Sequence, residues 1–301
     1  MAKKKAVASN GQFTLKMDNS RILKGIIETL ASVIDETEFR VSPKEFIITA
    51  MDPSRICLLK LTIKKEHFDD YKCDKDFKIG LNLDDLDKIL KRASQNDTVA
   101  ITFNESNQKI KLKMQREGSR TRTFSLALLD IDAEEVPMDN LLAIEYPSKW
   151  VMDPDFLIEA IKDAEIYSEI LNMYAAESQG LEFSSSGQIG EMRYELELDE
   201  LFEAEIEEVS KGAYSLTFLK AILKIASITE KLEVSLKSDH PIKMIFDLLE
   251  GGVLQYFLAP RVDPEDDFDE DLDEDWEDGD SDEKEDESEE KEIIDTKFDE
   301  R

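Results

Sequence analysis

Apolar residues recur every three to four positions from about Asn19 to Ile34, at Ile22, Leu23, Ile26, Ile27, Leu30 and Val33. That spacing gathers them on one face of a helix. The same period returns at Leu83–Ala93 (Leu86, Ile89, Leu90), at Asp155–Ile166 (Phe156, Leu157, Ala160, Ile161, Ala164) and at Ser215–Ala226. Between these helices, runs rich in β-branched and apolar residues predict strands. They fall at Glu45–Ala50, Ile56–Ile63, Val99–Phe103, Ile110–Met114, Thr123–Leu129, Leu181–Ser186, Leu232–Leu236, Ile242–Asp247 and Leu254–Leu258. Asp52-Pro53-Ser54 is a turn between the first two.

The pattern repeats. Leu83, Leu86, Ile89, Leu90 and Ala93 match Leu216, Leu219, Ile222, Leu223 and Ala226 at an offset of 133, and Val99 and Ile101 match Leu232 and Val234. Ile110-Lys111 matches Ile242-Lys243 at 132, and Glu45–Ile63 matches Gly180–Leu198 at 135. Two similar α+β domains follow, each with two amphipathic helices covered by sheet. We place a flexible extension at 1–12, one domain at 13–129, a connecting loop at 130–146, a second domain at 147–262 and a tail at 263–301. The connector carries Pro137 and no sustained period.

Charge changes the picture. Of the 301 residues 38 are Lys or Arg and 70 are Asp or Glu, a formal net charge of −32. The tail alone holds 24 acids against 4 bases, with too few apolar residues to offset chain entropy, so it is expected to be disordered. Yet each helix sets bases opposite its apolar stripe: Arg21 and Lys24; Lys88, Lys91 and Arg92; Lys162; Lys220 and Lys224. Singly these are ordinary solvated residues, and Glu28, Asp84 and Glu159 dilute them. Together, in an acidic chain, they suit a polyanion such as duplex DNA, contacted through phosphates without regard to sequence.

Candidate chemistry is sparse. There is no Gly-rich phosphate loop, no GxSxG and no CxxC, and the chain has two cysteines (Cys57, Cys73) and two histidines (His67, His240). No enzyme activity, metal site, cofactor or disulfide framework is expected. No apolar run is long enough to span a membrane, and Lys3, Lys4 and Lys5 are not followed by the apolar core of a secretory signal.

Four strings resemble the proliferating cell nuclear antigen family of DNA sliding clamps: MDPSRICLLKL at 51–61, FDDYKCDKDFKIGLNLDDLDKILKR at 68–92, LEFSSSGQIGE at 181–191 and YFLAPR at 256–261. The resemblance runs from Phe13 to Arg261, and YSLTFLKAILK at 214–224 looks archaeal. It implies two domains of helices on antiparallel sheets, three identical subunits closed into a ring, and the eight helix bases lining the hole. The implied function is a processivity factor that encircles duplex DNA. Its implied partners are a clamp loader and, through short docking peptides, polymerase, ligase and nucleases. The implied peptide pocket comprises Met51, Arg55, Ile56, Leu58, Ile131, Val136, Pro241, Phe257, Ala259 and Pro260. The implied subunit contact pairs the strand around Phe124 with that around Met192 and Tyr194. The long tail and the segment before Phe13 depart from the family pattern. A heterotrimer subunit, or an acidic-tailed chaperone for basic DNA-associated proteins, are the alternatives. The archaeal-like strings favour a cytoplasmic location, and no membrane partner is expected.

Overall fold

Three of the helices begin where a polar side chain takes up a loose backbone amide. The Asn19 Oδ1 accepts from the Arg21 amide at 2.8 Å and starts α1 (Ser20–Ala31). Asn82 Oδ1 accepts from the Asp85 amide at 2.9 Å and starts α2 (Leu83–Leu90). In the second half Asp153 Oδ1 accepts from the Asp155 amide at 2.9 Å, with Pro154 in the first turn of a later helix (Pro154–Ala164). Such caps each contribute about 1 kcal/mol. The computed structural model describes residues 11–94, 96–116, 118, 120–131, 138–249 and 251–261. The expected acidic tail and all but the last two residues of the expected extension lie outside them; Gln12 already belongs to the first strand.

The first half runs β1 (Gln12–Met17), α1, β2 (Glu36–Val41), β3 (Glu45–Met51), β4 (Cys57–Lys64), β5 (Asp70–Cys73), β6 (Phe77–Asn82), α2, β7 (Thr98–Asn104), β8 (Lys109–Gln115) and β9 (Arg122–Ala127). A short helix, α3 (Met138–Leu142), follows in what the sequence suggested was loop; five residues are too few to display a helical period. The second half runs β10 (Ser148–Met152), α4 (Pro154–Ala164), β11 (Ile170–Ala176), β12 (Gly180–Gly187), β13 (Gly190–Leu196), β14 (Glu203–Ile206), β15 (Ser210–Ser215), α5 (Leu216–Ala221), α6 (Leu223–Ala226), β16 (Thr229–Leu236), β17 (Ile242–Leu248) and β18 (Val253–Leu258). The second half therefore repeats the first element for element. One expected helix, Ser215–Ala226, is split at Ile222, whose amide bonds back three residues to the Leu219 carbonyl and tightens the turn.

Three antiparallel sheets result. One has the order β5-β1-β7-β8-β9, another β13-β12-β11-β15. The third, β14-β10-β16-β17-β18-β4-β3-β2-β6, runs through both halves and is continuous at the β4·β18 pair. Strand alternation supplies the core: on β8 Ile110, Leu112 and Met114 point inward while Lys109, Lys111 and Lys113 point out. The helices lie side by side, α1 touching α2 and α6, and α4 touching α5 and α6. The two halves approach closely at a glycine in α1: a Cβ on Gly25 would lie 2.8 Å from Ile228 Cδ1, so that side chain would have to shift.

The hairpins correct the expected constant offset of 135. Met51 faces Leu58 across the first, whereas its counterpart Ser186 faces Glu191 across the second. The first turn is two residues longer, so β3 maps to β12 at 135 but β4 maps to β13 at 133.

One buried acid ties α2 to the five-stranded sheet. Asp97, 2% exposed, accepts from the Ser94 amide at 3.0 Å and pairs with Arg116 and Arg122. Arg122 also donates to the Arg92 carbonyl at 2.8 Å. Burial pushes the Asp97 carboxyl up, but the Ser94 amide and the two guanidiniums outweigh it and hold the group below its ordinary 3.8. A carboxylate with a depressed folded pKa stabilises above the unfolded value and loses that contribution as pH falls through the folded one. Asp97→Asn should therefore cost about 1–3 kcal/mol at neutral pH. In urea unfolding, that gap should shrink as pH drops below 3.8; a gap unchanged at lower pH would contradict this role.

Candidate functional site

The longer β3–β4 turn is built around a second buried carboxylate. Asp52 Oδ1 accepts from the amides of Ile56 and Cys57 at 2.7 and 2.6 Å, and Oδ2 accepts from Ser54 at 3.0 Å. Arg55 takes a positive φ of 60° to close the turn. This arrangement pins Ile56 at the surface, 38% exposed, while Leu58 and Phe257 behind it are 3% and 2% exposed. Leu58 and Phe257 face each other across the β4·β18 pair, and the Ala259 amide extends that ladder to the Ile56 carbonyl at 2.9 Å.

Beside this junction lies a largely apolar cleft of about 460 Å³. Of the residues expected there, Met51, Arg55, Ile56, Leu58, Pro241, Phe257 and Ala259 line it together. Pro260 is next in sequence but is not part of the wall. Ile131 packs elsewhere, over Gly80, where a Cβ would lie 2.7 Å from its Cγ1. Val136 lies outside the described residues. Cys57, Asn140 and Leu141 complete the wall and were not anticipated. The last two come from α3, and Cys57 directly precedes Leu58 at the start of β4. The Tyr146 hydroxyl donates to the Pro241 carbonyl at 2.8 Å, anchoring the end of the connector to the cleft. Burial pushes the Cys57 thiol up to about 12, so it is a packing group rather than a nucleophile. A concave apolar site with a Met wall suits apolar anchors of a peptide.

The helix bases occupy the solvent side of α1, α2, α4, α5 and α6. Arg21, Lys88, Lys91, Arg92, Lys162 and Lys224 are exposed, and Lys24 and Lys220 are half-buried. Acids thread between them. Lys91 meets Asp87 at 2.6 Å, Lys88 meets Asp85 at 3.1 Å, Lys224 meets Glu28 at 3.6 Å, and Lys220 meets Glu165. The Arg21 guanidinium donates to the Ser227 carbonyl at 3.1 Å, across the two halves. Lys24, Arg92 and Lys162 make no ion pair with a described residue. Asp85 with Lys88 and Asp87 with Lys91 are i,i+3 and i,i+4 pairs along α2 that spacing could have given, whereas Glu165 was out of reach because spacing does not report contacts between segments distant in sequence. A face of this kind attracts phosphate weakly, since exposed pairs are worth little and are shared with acids.

The third surface is formed by two sheet ends. Phe124 lies on β9, the last strand of the five-stranded sheet, and Met192 and Tyr194 lie on β13, the last strand of the four-stranded one. All three are half-buried. The Tyr194 hydroxyl donates to Glu159 at 3.1 Å; burial and that carboxylate raise its pKa to about 12. Among the described residues, no group of His, Cys, Asp and Glu is arranged to hold a metal, and no helix is long and apolar enough to cross a membrane.

Comparison with known proteins agrees with this geometry. Residues 12–136 match the N-terminal domain of proliferating cell nuclear antigen, and residues 142–261 match its C-terminal domain. The chain is 34% identical over 248 residues to a DNA polymerase sliding clamp of Thermofilum pendens, covering 81% of this chain and 97% of that protein. It is 31% identical over 253 residues to the DNA polymerase sliding clamp of Pyrococcus horikoshii, covering 83% and 99%. With both domain types matched in order across the described body, the chain belongs to the proliferating cell nuclear antigen family.

Proposed function

We propose that this chain is the subunit of a DNA polymerase sliding clamp, and that three copies close a ring by pairing β9 of each with β13 of the next. The observation that carries the ring is internal. Within the chain, β4 of the first half pairs with β18 of the second. By the repeat, β4 corresponds to β13 and β18 to β9, so the two open sheet ends are the same two surfaces, unpaired. Carrying the register across, Leu59 opposite Tyr256 becomes Met192 opposite Phe124, and Leu61 opposite Leu254 becomes Tyr194 opposite Arg122. Pairing removes two open edges and closes a heterologous interface into a ring. Three is the number that the family resemblance implies.

In such a ring the helices face the hole. Arg21, Lys24, Lys88, Lys91, Arg92, Lys162, Lys220 and Lys224 would meet the phosphate backbone without base contacts, and the interleaved acids keep the contact loose enough to slide. The cleft at Met51, Ile56 and Phe257 would take a short peptide from a polymerase, ligase or nuclease, its apolar anchors entering beside α3. The activity is tethering, with no bond made or broken by this chain.

Phe124→Glu should convert the ring to monomers near 34.5 kDa and abolish stimulation of a peptide-bearing DNA polymerase on long templates. A variant that keeps the trimer mass in sedimentation would contradict the edge assignment. Ile56→Ser alters an exposed residue, so the melting temperature and trimer mass should hold while the affinity of an apolar docking peptide falls by roughly tenfold or more. Unchanged peptide affinity would remove the cleft from the docking site.

A further inference from the structure

The outward faces of the two open sheet ends carry charges that the chain itself leaves unmatched. On β8, Lys109, Lys111 and Lys113 are exposed, and none pairs with a described acid. On β13, Glu191 is exposed and likewise unpaired among the described residues, whereas Arg193 already contacts Glu182 at 3.4 Å and Glu195 at 3.7 Å. Between the lysines and the open edge lies only β9. Its outward side chains, Thr123, Ser125 and Ala127, are short.

The register of the proposed junction brings these charges into one row. Within the chain Lys111 is opposite Ser125. Leu58 opposite Phe257, carried to the open edges, becomes Glu191 opposite Ser125. The row across the joined sheets is therefore Lys111, Ser125, Glu191 of the next copy. Adjacent strands are about 4.8 Å apart, so the outer two backbones are roughly 10 Å apart with only a serine between them. A lysine and a glutamate on the same face can meet over that gap.

We propose that Lys111 of one copy pairs with Glu191 of the next above Ser125, and that this charge row directs which edges join. The proposal rests on the ring reading. Two β9 edges meeting each other would leave both lysine stripes flanking two strands of short side chains with no acid to meet them, and two β13 edges would bring their glutamates together; neither arrangement supplies the opposite charge. In β9 against β13, Lys111 meets Glu191, while Arg193, which the same register sets across Thr123 from Lys113, is already paired with Glu182 and Glu195. The covalently fixed junction provides the contrast. There the same row is Lys243, Phe257 and Leu58, with the last two forming the buried floor of the cleft. A junction within one chain needs no charge to choose its partner, and its row sets the apolar Leu58, not an acid, across from Lys243; the junction between chains has that choice to make.

The test is a charge swap read by sedimentation of the full chain over a range of protein and salt concentrations. At low salt, Lys111→Glu and Glu191→Lys should each raise the midpoint concentration of ring dissociation by roughly tenfold, and the double variant should restore it. Added salt should erase the differences. Single variants that assemble like the unaltered ring, or a double variant as weak as both singles combined, would overturn the pairing while leaving the ring intact. An unaltered chain that stays monomeric at every concentration would overturn the ring reading, and the pairing with it.

Discussion

Along β9 and β13 the outer backbone amides and carbonyls face away from the sheets, with no further strand in either ladder. Such groups are a template for another strand, and a soluble protein must cover, charge or pair them. Here the rest of the architecture turns on how that is done. The repeat supplies one solved case inside the chain, β4 against β18, and leaves the matching pair of surfaces open at opposite ends. A chain made of two like units joined this way has one surface of each kind left over, which is the basis of the proposed head-to-tail ring.

The same junction explains where the apolar cleft sits. The β3–β4 turn is two residues longer than its counterpart, and Asp52 organises it by accepting three backbone amides. The shorter β12–β13 turn has glycines at Gly187 and Gly190, and no equivalent carboxylate. One type of strand junction therefore serves two purposes. With the long turn and the connector beside it, the junction carries an apolar cleft; with the short turn and polar neighbours, its counterpart is an open edge, the one proposed to meet another chain. The helices are indifferent to this distinction: both halves send bases outward, and acids from neighbouring turns moderate them.

Much of this was legible in the sequence because it depends on periodicity. The helices around Ile26, Leu86 and Ala160 and the strands around Ile48, Ile101 and Met244 announce themselves by spacing, and the repeat follows from their order. Short or edge strands such as β5 and β14 have too few residues to show alternation. The break at Ile222 is a matter of local turn geometry. Seven cleft residues were reachable through resemblance to the family, whereas Asn140 and Leu141 sit on a helix too short to read, and Ile131 packs on Gly80 for reasons that only the fold reveals. Ion pairs such as Lys220 with Glu165 join residues far apart in sequence and have no linear signature.

In the proposed ring DNA is held by being surrounded, with only weak contacts at the helix face. The most direct measurement loads the labelled protein onto nicked circular DNA with a clamp loader, removes free protein, and follows release at high salt before and after cutting the circle once. Encirclement predicts slow release from the circle and rapid loss from the ends after linearisation. Equal release from circular and linear DNA would contradict it, because binding through surface contacts alone does not depend on whether the DNA has an end.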